Sequence, residues 1–259
     1  MIILKSKEEL ARMREAGRIV ALVHEALKEK IAPGVTTLQL NDLAEQVIRQ
    51  QGAIPSFLGY PYTGNNDFPA SICASINQEI VHGIPSGERV LKEGDIISVD
   101  VGAIYRGWQG DAAFTVGVGQ ISPEAQRLID VTDRSLHKAI DQCQPGNRLW
   151  NVMAAVQRHV EVAGFNVIRE YQGHGIGQKM HEPPSIPNFL NKNRRHRPRN
   201  WLLKPGMTLA IEPMVCQGGW RTRTLDDGWV VVMADGKLSA HSEHTVAITE
   251  NGPEILTRL

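Results

Sequence analysis

The feature that most constrains the fold of this chain is an internal duplication. Three landmarks of the first half recur in the second half, each after 112 residues. They are Pro33-Gly34 and Pro145-Gly146, Gly52 and Gly164, and LKEGDIISVD (91–100) and LKPGMTLAIE (203–212). A constant spacing indicates two related halves, and a long unit that occurs only twice is typical of a duplicated domain, not of a solenoid. We therefore predict a single α+β domain over residues 1–259, with halves of about 1–120 and 121–259.

Capping and periodicity predict two helices at the start of the first half. Ser6 and Glu9 form a capping-box pattern before apolar residues at helical spacing, so the first helix should run to about Lys30. A second helix is expected from Thr37 to about Gln51. Antiparallel strands should follow a loop rich in glycine and proline.

Composition excludes several classes of protein. With 42% hydrophobic residues among 259, the chain can bury a substantial core, and 28 cationic against 28 anionic side chains give no global reason for a nucleic-acid or membrane partner. No run of about 18 apolar residues predicts a membrane span, and the first residues do not resemble a signal peptide. The cysteines are widely spaced and odd in number: Cys73, Cys143 and Cys216. This pattern argues against a disulfide framework or a zinc ribbon. We expect a cytoplasmic protein.

A predicted β-hairpin, SVDVGAIYRGWQGDA (98–112), carries an aspartate near each end. A turn centred on Tyr105-Arg106 would place Asp100 directly opposite Asp111. Facing carboxylates repel unless a cation lies between them. The duplication also gives Asp100 and Glu212 equivalent positions, so their carboxylates should converge if the halves pack face to face.

Three further segments place ionisable side chains among glycines or strand residues. These segments are GHGIG (173–177), IEPM (211–214) and SEHTVAI (242–248), which contain His174, Glu212 and Glu243. The last follows a predicted hairpin turn at Asp235-Gly236, whose first strand should begin at Trp229. With the two aspartates the set has four carboxylates, and burying them requires compensation. Two divalent cations would supply it, and an oxygen-rich set with one imidazole suits Mn²⁺, Fe²⁺, Co²⁺ or Zn²⁺.

Other catalytic motifs are incomplete. HEPPS (181–185) begins like HExxH but has Ser185 in place of the second histidine, so it does not predict a single-zinc helix site. GHGIG lacks the spacing of dinucleotide and phosphate loops, and the chain has no GxSxG nucleophile elbow.

The full set of motifs resembles the type I methionine aminopeptidases of the metal-dependent pita-bread peptidase family. The shared motifs are HGIP (82–85), the two aspartates eleven residues apart, GHGIG, LKPGMTLAIEPM and EHT. The resemblance covers the chain from KSKEELARMREAG to EHTVAITENGPEIL. It implies one catalytic domain with the pita-bread fold, an internally duplicated pseudo-twofold sandwich of antiparallel strands covered by helices.

The resemblance also implies a reaction. The enzyme would remove the initiator methionine from nascent proteins and peptides, favour a small second residue, and use a water or hydroxide that bridges two divalent ions. Asp111 and Glu243 would bridge the ions, and the complete ligand set would be Asp100, Asp111, His174, Glu212 and Glu243. Glu212 would also carry the proton to the leaving amine, His181 would contact the scissile carbonyl, and His82 would contact the peptide beyond it.

The side chain of the substrate methionine would occupy an apolar pocket. By position, its lining would be Tyr60, Phe68, Cys73, Met180 and Trp229. The chain departs from the family at Met180, where an aromatic residue is common, and in YPYTGNND (60–67), which is longer than usual. Since an apolar pocket discriminates by only about 1–3 kcal/mol per methylene, slow cleavage of similar residues is expected.

Partner predictions rest on a basic insert, NKNRRHRPRN (191–200). Its cations at 192–199 suit a transient contact with ribosomal RNA, although a solvated surface loop is the simpler explanation. A monomer is expected. Two alternatives stay open: an X-Pro peptidase of the same fold, whose relatives usually have a further N-terminal domain, and a binding module that has lost catalysis, although such proteins typically lose metal ligands.

Overall fold

The computed structural model of the protein describes residues 2–61 and 66–259, so residues 62–65 of the long YPYTGNND segment lie outside the described residues. The helices are α1 (Lys7–Lys30), α2 (Thr37–Gln50), α3 (Pro123–Ile140) and α4 (Leu149–Val162), and a 3₁₀ turn covers Arg194–His196. The strands are β1 (Ile54–Pro55), β2 (Ile72–Ile76), β3 (Glu79–Val81), β4 (Ile96–Tyr105), β5 (Trp108–Gly117), β6 (Asn166–Val167), β7 (Gln172–Gly175), β8 (Glu182–Pro187), β9 (Thr208–Ile211), β10 (Met214–Cys216), β11 (Thr222–Thr224), β12 (Val231–Met233), β13 (Ser239–His241), β14 (His244–Thr249) and β15 (Gly252–Ile255).

The first two helices begin and end where the sequence predicts. Ser6 and Glu9 make both hydrogen bonds of the capping box at the start of α1. Thr36 and Gln39 make the same reciprocal pair at the start of α2, which ends one residue before the predicted position.

The spacing of the duplication is preserved in three dimensions. Helix α4 covers the residues 112 positions after those of α2, and β6 and the start of β9 lie 112 positions after β1 and the start of β4. Gly34 and Gly146 have φ angles of 89° and 88°, in the left-handed region that favours glycine. The isolated bridge from Thr36 to Val90 has its counterpart between Arg148 and Leu202.

The described strands pair antiparallel and form four sheets. In the first half β4 pairs with β1, β2 and β5, and in the second half the order is β15-β14-β9-β7-β8. The smaller sheets are β13-β10-β6 and β11-β12-β3. Two large apolar cores correspond to the two halves. In one core α1 and α2 pack on β2 and β4, and in the other α3 and α4 pack on β9 and β14. The predicted α+β class with antiparallel strands is confirmed.

The predicted register of the β4–β5 hairpin is wrong by two residues. The turn is centred on Arg106-Gly107, with φ angles of 49° and 80°, as a type I′ turn requires. Glycine adopts this conformation readily, so Gly107 sets the turn one residue later than predicted. Asp100 therefore pairs with Ala113, and Asp111 pairs with Gly102. The two carboxylates are diagonal neighbours on one face of the hairpin.

A second predicted hairpin is also wrong. Gly236 does form a turn, with a φ angle of 71°, but β12 pairs with β11 and β3, whereas β13 pairs with β10. Strand β13 pairs with β10, and β14 pairs with β9, in the way that β5 pairs with β4 in the first half. This pairing separates β13 from β12. In the described ranges, no helix has the length and apolar character needed to cross a lipid bilayer.

Candidate metal centre

The predicted metal ligands come from strands or strand ends of both halves. Asp100 lies in β4 and Asp111 in β5. His174 lies in β7, Glu212 directly after β9, and Glu243 between β13 and β14. All of them line one cavity of about 210 Å³. The duplication thus brings together side chains that are far apart in the sequence.

Hydrogen bonds hold β5 against the β13–β14 segment at this cavity. This seam ladder has three residue pairs: Asp111 with Thr245, Ala113 with Glu243, and Thr115 with His241. The central pair exchanges two backbone hydrogen bonds, of 3.3 and 2.8 Å. In each outer pair the threonine hydroxyl accepts from the partner's backbone N–H, at 3.1 and 3.0 Å, and donates to its carbonyl, at 2.8 and 2.7 Å. The ladder therefore fixes the backbone beneath ligands from both halves.

The ligand atoms lie at separations typical of groups around a shared cation. One ligand atom each from Asp111, His174 and Glu243 lie within 4.8 Å of one another. His174 Nε2 is 3.8 Å from Asp111 Oδ2 and 3.5 Å from Glu212 Oε1. Two donors at about 2.1 Å from one tetrahedral ion are about 3.4 Å apart. Asp100 lies beside this group, because it is a diagonal neighbour of Asp111 on the hairpin and lines the same cavity.

The orientation of His174 is set by its own backbone neighbour. Its Nδ1 lies 2.9 Å from the carbonyl oxygen of Gly175 and donates to it. The lone pair is therefore on Nε2, the nitrogen that faces the carboxylates. A backbone acceptor of this kind commonly fixes the tautomer of a metal-binding histidine.

Buried polar atoms without a hydrogen-bond partner cluster in this cavity. Among the residues that the structure describes, four of the five such side-chain atoms are Asp100 Oδ1, Asp111 Oδ1, Glu243 Oε1 and His241 Nε2. Buried polar atoms are nearly always partnered in folded proteins. Carboxylate oxygens left in this state beside a neutral imidazole suit a bound divalent cation, so these residues fit a metal.

Burial and mutual repulsion disfavour the ionised form of the acids. Burial raises the pKa of Asp100 to about 7, although hydrogen bonding to Asp111 acts in the opposite direction. Burial, together with the neighbouring acids, raises the pKa of Asp111, Glu212 and Glu243 well above their ordinary values. Burial also lowers the pKa of His174 to about 3, so this imidazole is neutral at pH 7.

These shifts predict that metal binding releases protons and strengthens with pH. A carboxyl whose pKa is raised by folding contributes stability at low pH that is lost as the pH rises through its folded value, about 7 for Asp100. Bound cations prevent this loss of stability, because their positive charge compensates the ionised carboxylates. We expect the gain in Tm on adding Mn²⁺ to chelator-treated protein to be larger at about pH 8 than at about pH 6.5. Calorimetry in buffers of different ionisation enthalpy measures the released protons, and a gain independent of pH would contradict the prediction.

The predicted methionine pocket adjoins the acids and is largely apolar. Its predicted lining residues all face the same cavity: Tyr60, Phe68, Cys73, Met180 and Trp229. Phe68, Cys73 and Trp229 form one buried cluster, and the rings of Phe68 and Trp229 meet edge to face at 5.1 Å. Met180 belongs to a different cluster, and Tyr60 packs against both. Burial raises the pKa of the Cys73 thiol, so this cysteine is an apolar wall and not a nucleophile.

His181 is held from two sides at the mouth of the cavity. Its Nδ1 is 2.7 Å from the Tyr60 hydroxyl, and its ring centroid is 4.4 Å from that of His174. The next residue, Glu182, forms a buried ion pair of 2.6 Å with Lys5. Removing either partner of a buried pair leaves an uncompensated charge, so this contact anchors the segment that presents His181.

His82 has a strained backbone that directs its ring into the cavity. Its φ angle is 61°, which is uncommon for a residue with a side chain. The following Gly83 lies against β2, where a Cβ atom would be 2.2 Å from the Ala74 carbonyl oxygen. The His82 ring meets Tyr171 and Trp229 edge to face, at 5.9 and 6.0 Å. Strain of this kind commonly accompanies functional sites.

Several cavity residues were not predicted from the sequence. They are Phe57, Val81, Tyr171, Gln172, Met214 and His241. His241 is the one with a chemical consequence, because its Nε2 lies 3.7 Å from Glu243 Oε2 and 3.9 Å from Glu212 Oε2. Its position two residues before Glu243 was the available signal, since alternate residues of a strand share a face.

Comparison with known proteins identifies the family. The family model described as "Metallopeptidase family M24" matches residues 11–250. Methionine aminopeptidase 1 of Bacillus subtilis (strain 168) is 54% identical over 259 residues, which is 100% of both chains. The crystal structure of methionine aminopeptidase from Thermotoga maritima superposes with a TM-score of 0.93 at 44% identity and covers 100% of both chains.

A more distant structure shows how widely the fold is shared. Prolidase from Pyrococcus furiosus has a TM-score of 0.78 at 22% identity, and the match covers 99% of this chain but 66% of that one. At this identity the likeness concerns the fold alone, the pita-bread arrangement that the sequence resemblance predicts. The full-length matches at higher identity are to methionine aminopeptidases. The chain therefore belongs to metallopeptidase family M24, in the group of the type I methionine aminopeptidases.

Proposed function

We propose that this protein is a metal-dependent exopeptidase that removes the N-terminal methionine from nascent proteins and peptides, with preference for a small second residue. The observation that carries the proposal is the group of carboxylate oxygens that have no hydrogen-bond partner among the described residues and lie beside an apolar cluster in the same cavity. A charged centre beside an apolar pocket suits a substrate with a polar amine and carbonyl next to a thioether side chain. The B. subtilis and T. maritima relatives are named for this activity.

The proposed cofactor is a pair of divalent ions, drawn from Mn²⁺, Fe²⁺, Co²⁺ and Zn²⁺. Such ions lower the pKa of a bound water and polarise a carbonyl. In this proposal Asp111 and Glu243 would be ligands of both ions, Asp100 of one ion, and His174 and Glu212 of the other. Supporting this division, Asp100 is a diagonal neighbour of Asp111 on the hairpin, whereas His174 and Glu212 approach each other to 3.5 Å.

The protein side chains would carry the proton and orient the substrate. Glu212 takes a proton from the attacking water, and after the C–N bond breaks it delivers that proton to the leaving amine. His181 donates from Nε2 to the carbonyl oxygen, because its Nδ1 accepts a hydrogen bond from the Tyr60 hydroxyl, 2.7 Å away. His82, further along the cavity wall, contacts the peptide beyond the cleaved bond. Its pKa is lowered to about 4 by burial, so it acts as a neutral imidazole.

We further propose that residues 1–259 act as one catalytic domain whose halves, about 1–120 and 121–259, are joined at the metal centre. The seam ladder supports this, because each of its pairs takes one residue from each half. A monomer suffices, since every assigned side chain lies in one chain. The three buried free thiols suit a reducing cytoplasm, where nascent chains are available.

A transient ribosome contact through residues 192–199 is also proposed. Arg197 and Arg199 stack on Trp150 and Trp201, with charge-to-ring distances of 5.1 and 4.0 Å, and so shape the insert. The other cations, Lys192, Arg194 and Arg195, are exposed and suit phosphate groups. Co-sedimentation with ribosomes that weakens steeply with salt would support this contact, and salt-independent binding would contradict it.

Peptide hydrolysis with restored metal tests the main proposal. Chelator-treated protein is given Mn²⁺ or Co²⁺ and offered Met-Ala-Ser, Leu-Ala-Ser and Ala-Pro peptides. We expect release of methionine only after metal is restored, and slower release of leucine by about 10–200-fold, the range that an apolar pocket supplies. Preference for Ala-Pro would assign the protein to the prolyl peptidases of the fold. No release with any metal would favour a binding module.

A further inference from the structure

His241 occupies a part of the cavity wall that no predicted motif includes. It ends β13, is 2% exposed, and its backbone N–H and carbonyl both bond the Thr115 hydroxyl. Its position is therefore fixed by the seam ladder. Its Nε2 is buried and has no hydrogen-bond partner among residues 2–61 and 66–259.

The Glu212 carboxylate lies between two imidazoles. Its Oε1 is 3.5 Å from His174 Nε2, and its Oε2 is 3.9 Å from His241 Nε2. The first separation matches two ligands of one ion, which are about 3.4 Å apart. If Oε1 binds that ion together with His174, then Oε2 is left to accept a hydrogen bond. An ionised carboxylate can only accept, and a neutral imidazole offers one N–H.

Glu243 is the competing acceptor, because its Oε2 lies 3.7 Å from His241 Nε2. As a ligand of both ions, however, Glu243 would use both of its oxygens for metal. Glu212 Oε2 is then the carboxylate oxygen without another bond. A rotation of either side chain that shortens the 3.9 Å separation by about 1 Å gives a normal hydrogen bond.

We propose that His241 is a positioning residue, whose Nε2–H holds Glu212 Oε2 so that Oε1 points to the ion shared with His174. This inference rests on the proposed function, because it takes Glu212 as both ligand and proton carrier. Outer hydrogen bonds of this kind orient metal ligands, and losing one typically costs 10–100-fold in metal affinity or activity. Without the donor, the Glu212 carboxylate can rotate away from the position in which it binds the ion and carries the proton.

Two substitutions separate positioning from direct metal binding. Glutamine at position 241 keeps an N–H donor of similar reach, whereas leucine has none. In the full-length protein, we expect His241→Leu to weaken Co²⁺ binding at the site shared with His174 by about 10–100-fold by titration calorimetry and to lower kcat for Met-Ala-Ser, with KM nearly unchanged. His241→Gln should stay within about 3-fold of the parent in each measurement and keep its visible Co²⁺ spectrum. The matched control is His159→Leu, because His159 Nε2 is also buried and unpartnered but lies on α4 outside the cavity.

Two results would overturn the proposal. One is parent-like Co²⁺ affinity in His241→Leu. The other is a His241→Gln protein that is as impaired as His241→Leu and has an altered Co²⁺ spectrum, because that combination would identify His241 as a direct metal ligand. The calorimetric titration needs no turnover. If the parent protein binds Co²⁺ but releases no methionine, the proposed function fails, while the role of His241 is still decided by the titrations.

Discussion

Replacing Glu212 with alanine is expected to lower kcat by at least about 10³-fold while the protein stays folded. The change removes both the proton carrier and one metal ligand. The fold should be unaffected, because the backbone carbonyl of this residue keeps its hydrogen bond from Asn188, 2.9 Å away, in the variant. In metal-free protein the substitution also removes one of several clustered acids. We therefore expect an unchanged or higher Tm without metal, together with nearly complete loss of methionine release.

The milder Glu212→Gln change separates the two roles. Glutamine keeps an oxygen for the metal but cannot accept and return a proton, so about 10²–10⁴-fold of kcat should be lost even when calorimetry shows that metal binds. Glu254→Ala is the control, since Glu254 pairs with Arg14 at the surface at 2.6 Å and should leave turnover within about 2-fold. Parent-like activity of Glu212→Ala would exclude the proposed mechanism.

Asp111→Asn is expected to abolish binding of both ions and all measurable turnover. Asp111 is central to the site, because its Oδ2 lies 3.8 Å from His174 Nε2 and its Oδ1 is buried with no hydrogen-bond partner among the described residues. An amide has nearly the same shape but is a weaker ligand and carries no charge, so the change acts on metal binding and not on packing. Elemental analysis after dialysis should show less than one ion per chain.

The stability of this variant distinguishes a functional effect from misfolding. The pKa of Asp111 is raised by burial beside Asp100, so the metal-free protein loses stability at high pH, where this carboxyl must ionise. Metal-free Asp111→Asn should therefore melt at or above the temperature of the metal-free parent. Unlike the parent, it should gain no Tm when Mn²⁺ is added. A large fall in Tm without metal would mean that the aspartate is needed for the fold itself.

The sequence predicted those features that depend on spacing. Equivalent landmarks 112 residues apart predicted α2 and α4 as counterparts, and the structure places them with that offset. The same argument predicted that Asp100 and Glu212 would converge, and both line one cavity. These predictions succeeded because helix stops and strand starts are encoded locally, by glycine, proline and capping residues.

Features that depend on the exact position of a turn or on contacts between the halves were not predicted. The turn at Arg106-Gly107 differs by one residue from the predicted one, and one residue in the turn shifts every cross-strand pair. The threonines of the seam ladder, Thr115 and Thr245, resemble ordinary strand residues in the sequence. The role of His241 shares this limitation, because its position two residues before Glu243 indicates a shared face but not the approach to Glu212.

The seam ladder has a consequence for which ion the working enzyme contains. Because protein hydrogen bonds fix the backbone under Asp111, Glu243 and His241, the fold around the centre does not depend on the ion. The free energy of metal binding is then not needed to order the chain, whereas small domains that fold only around zinc depend on it. Oxygen-rich sites of this type do not select strongly among neighbouring divalent metals. We therefore expect the occupant to follow the free ion concentrations of the cell, so that growth conditions, more than any single residue, determine which metal is found in the purified protein.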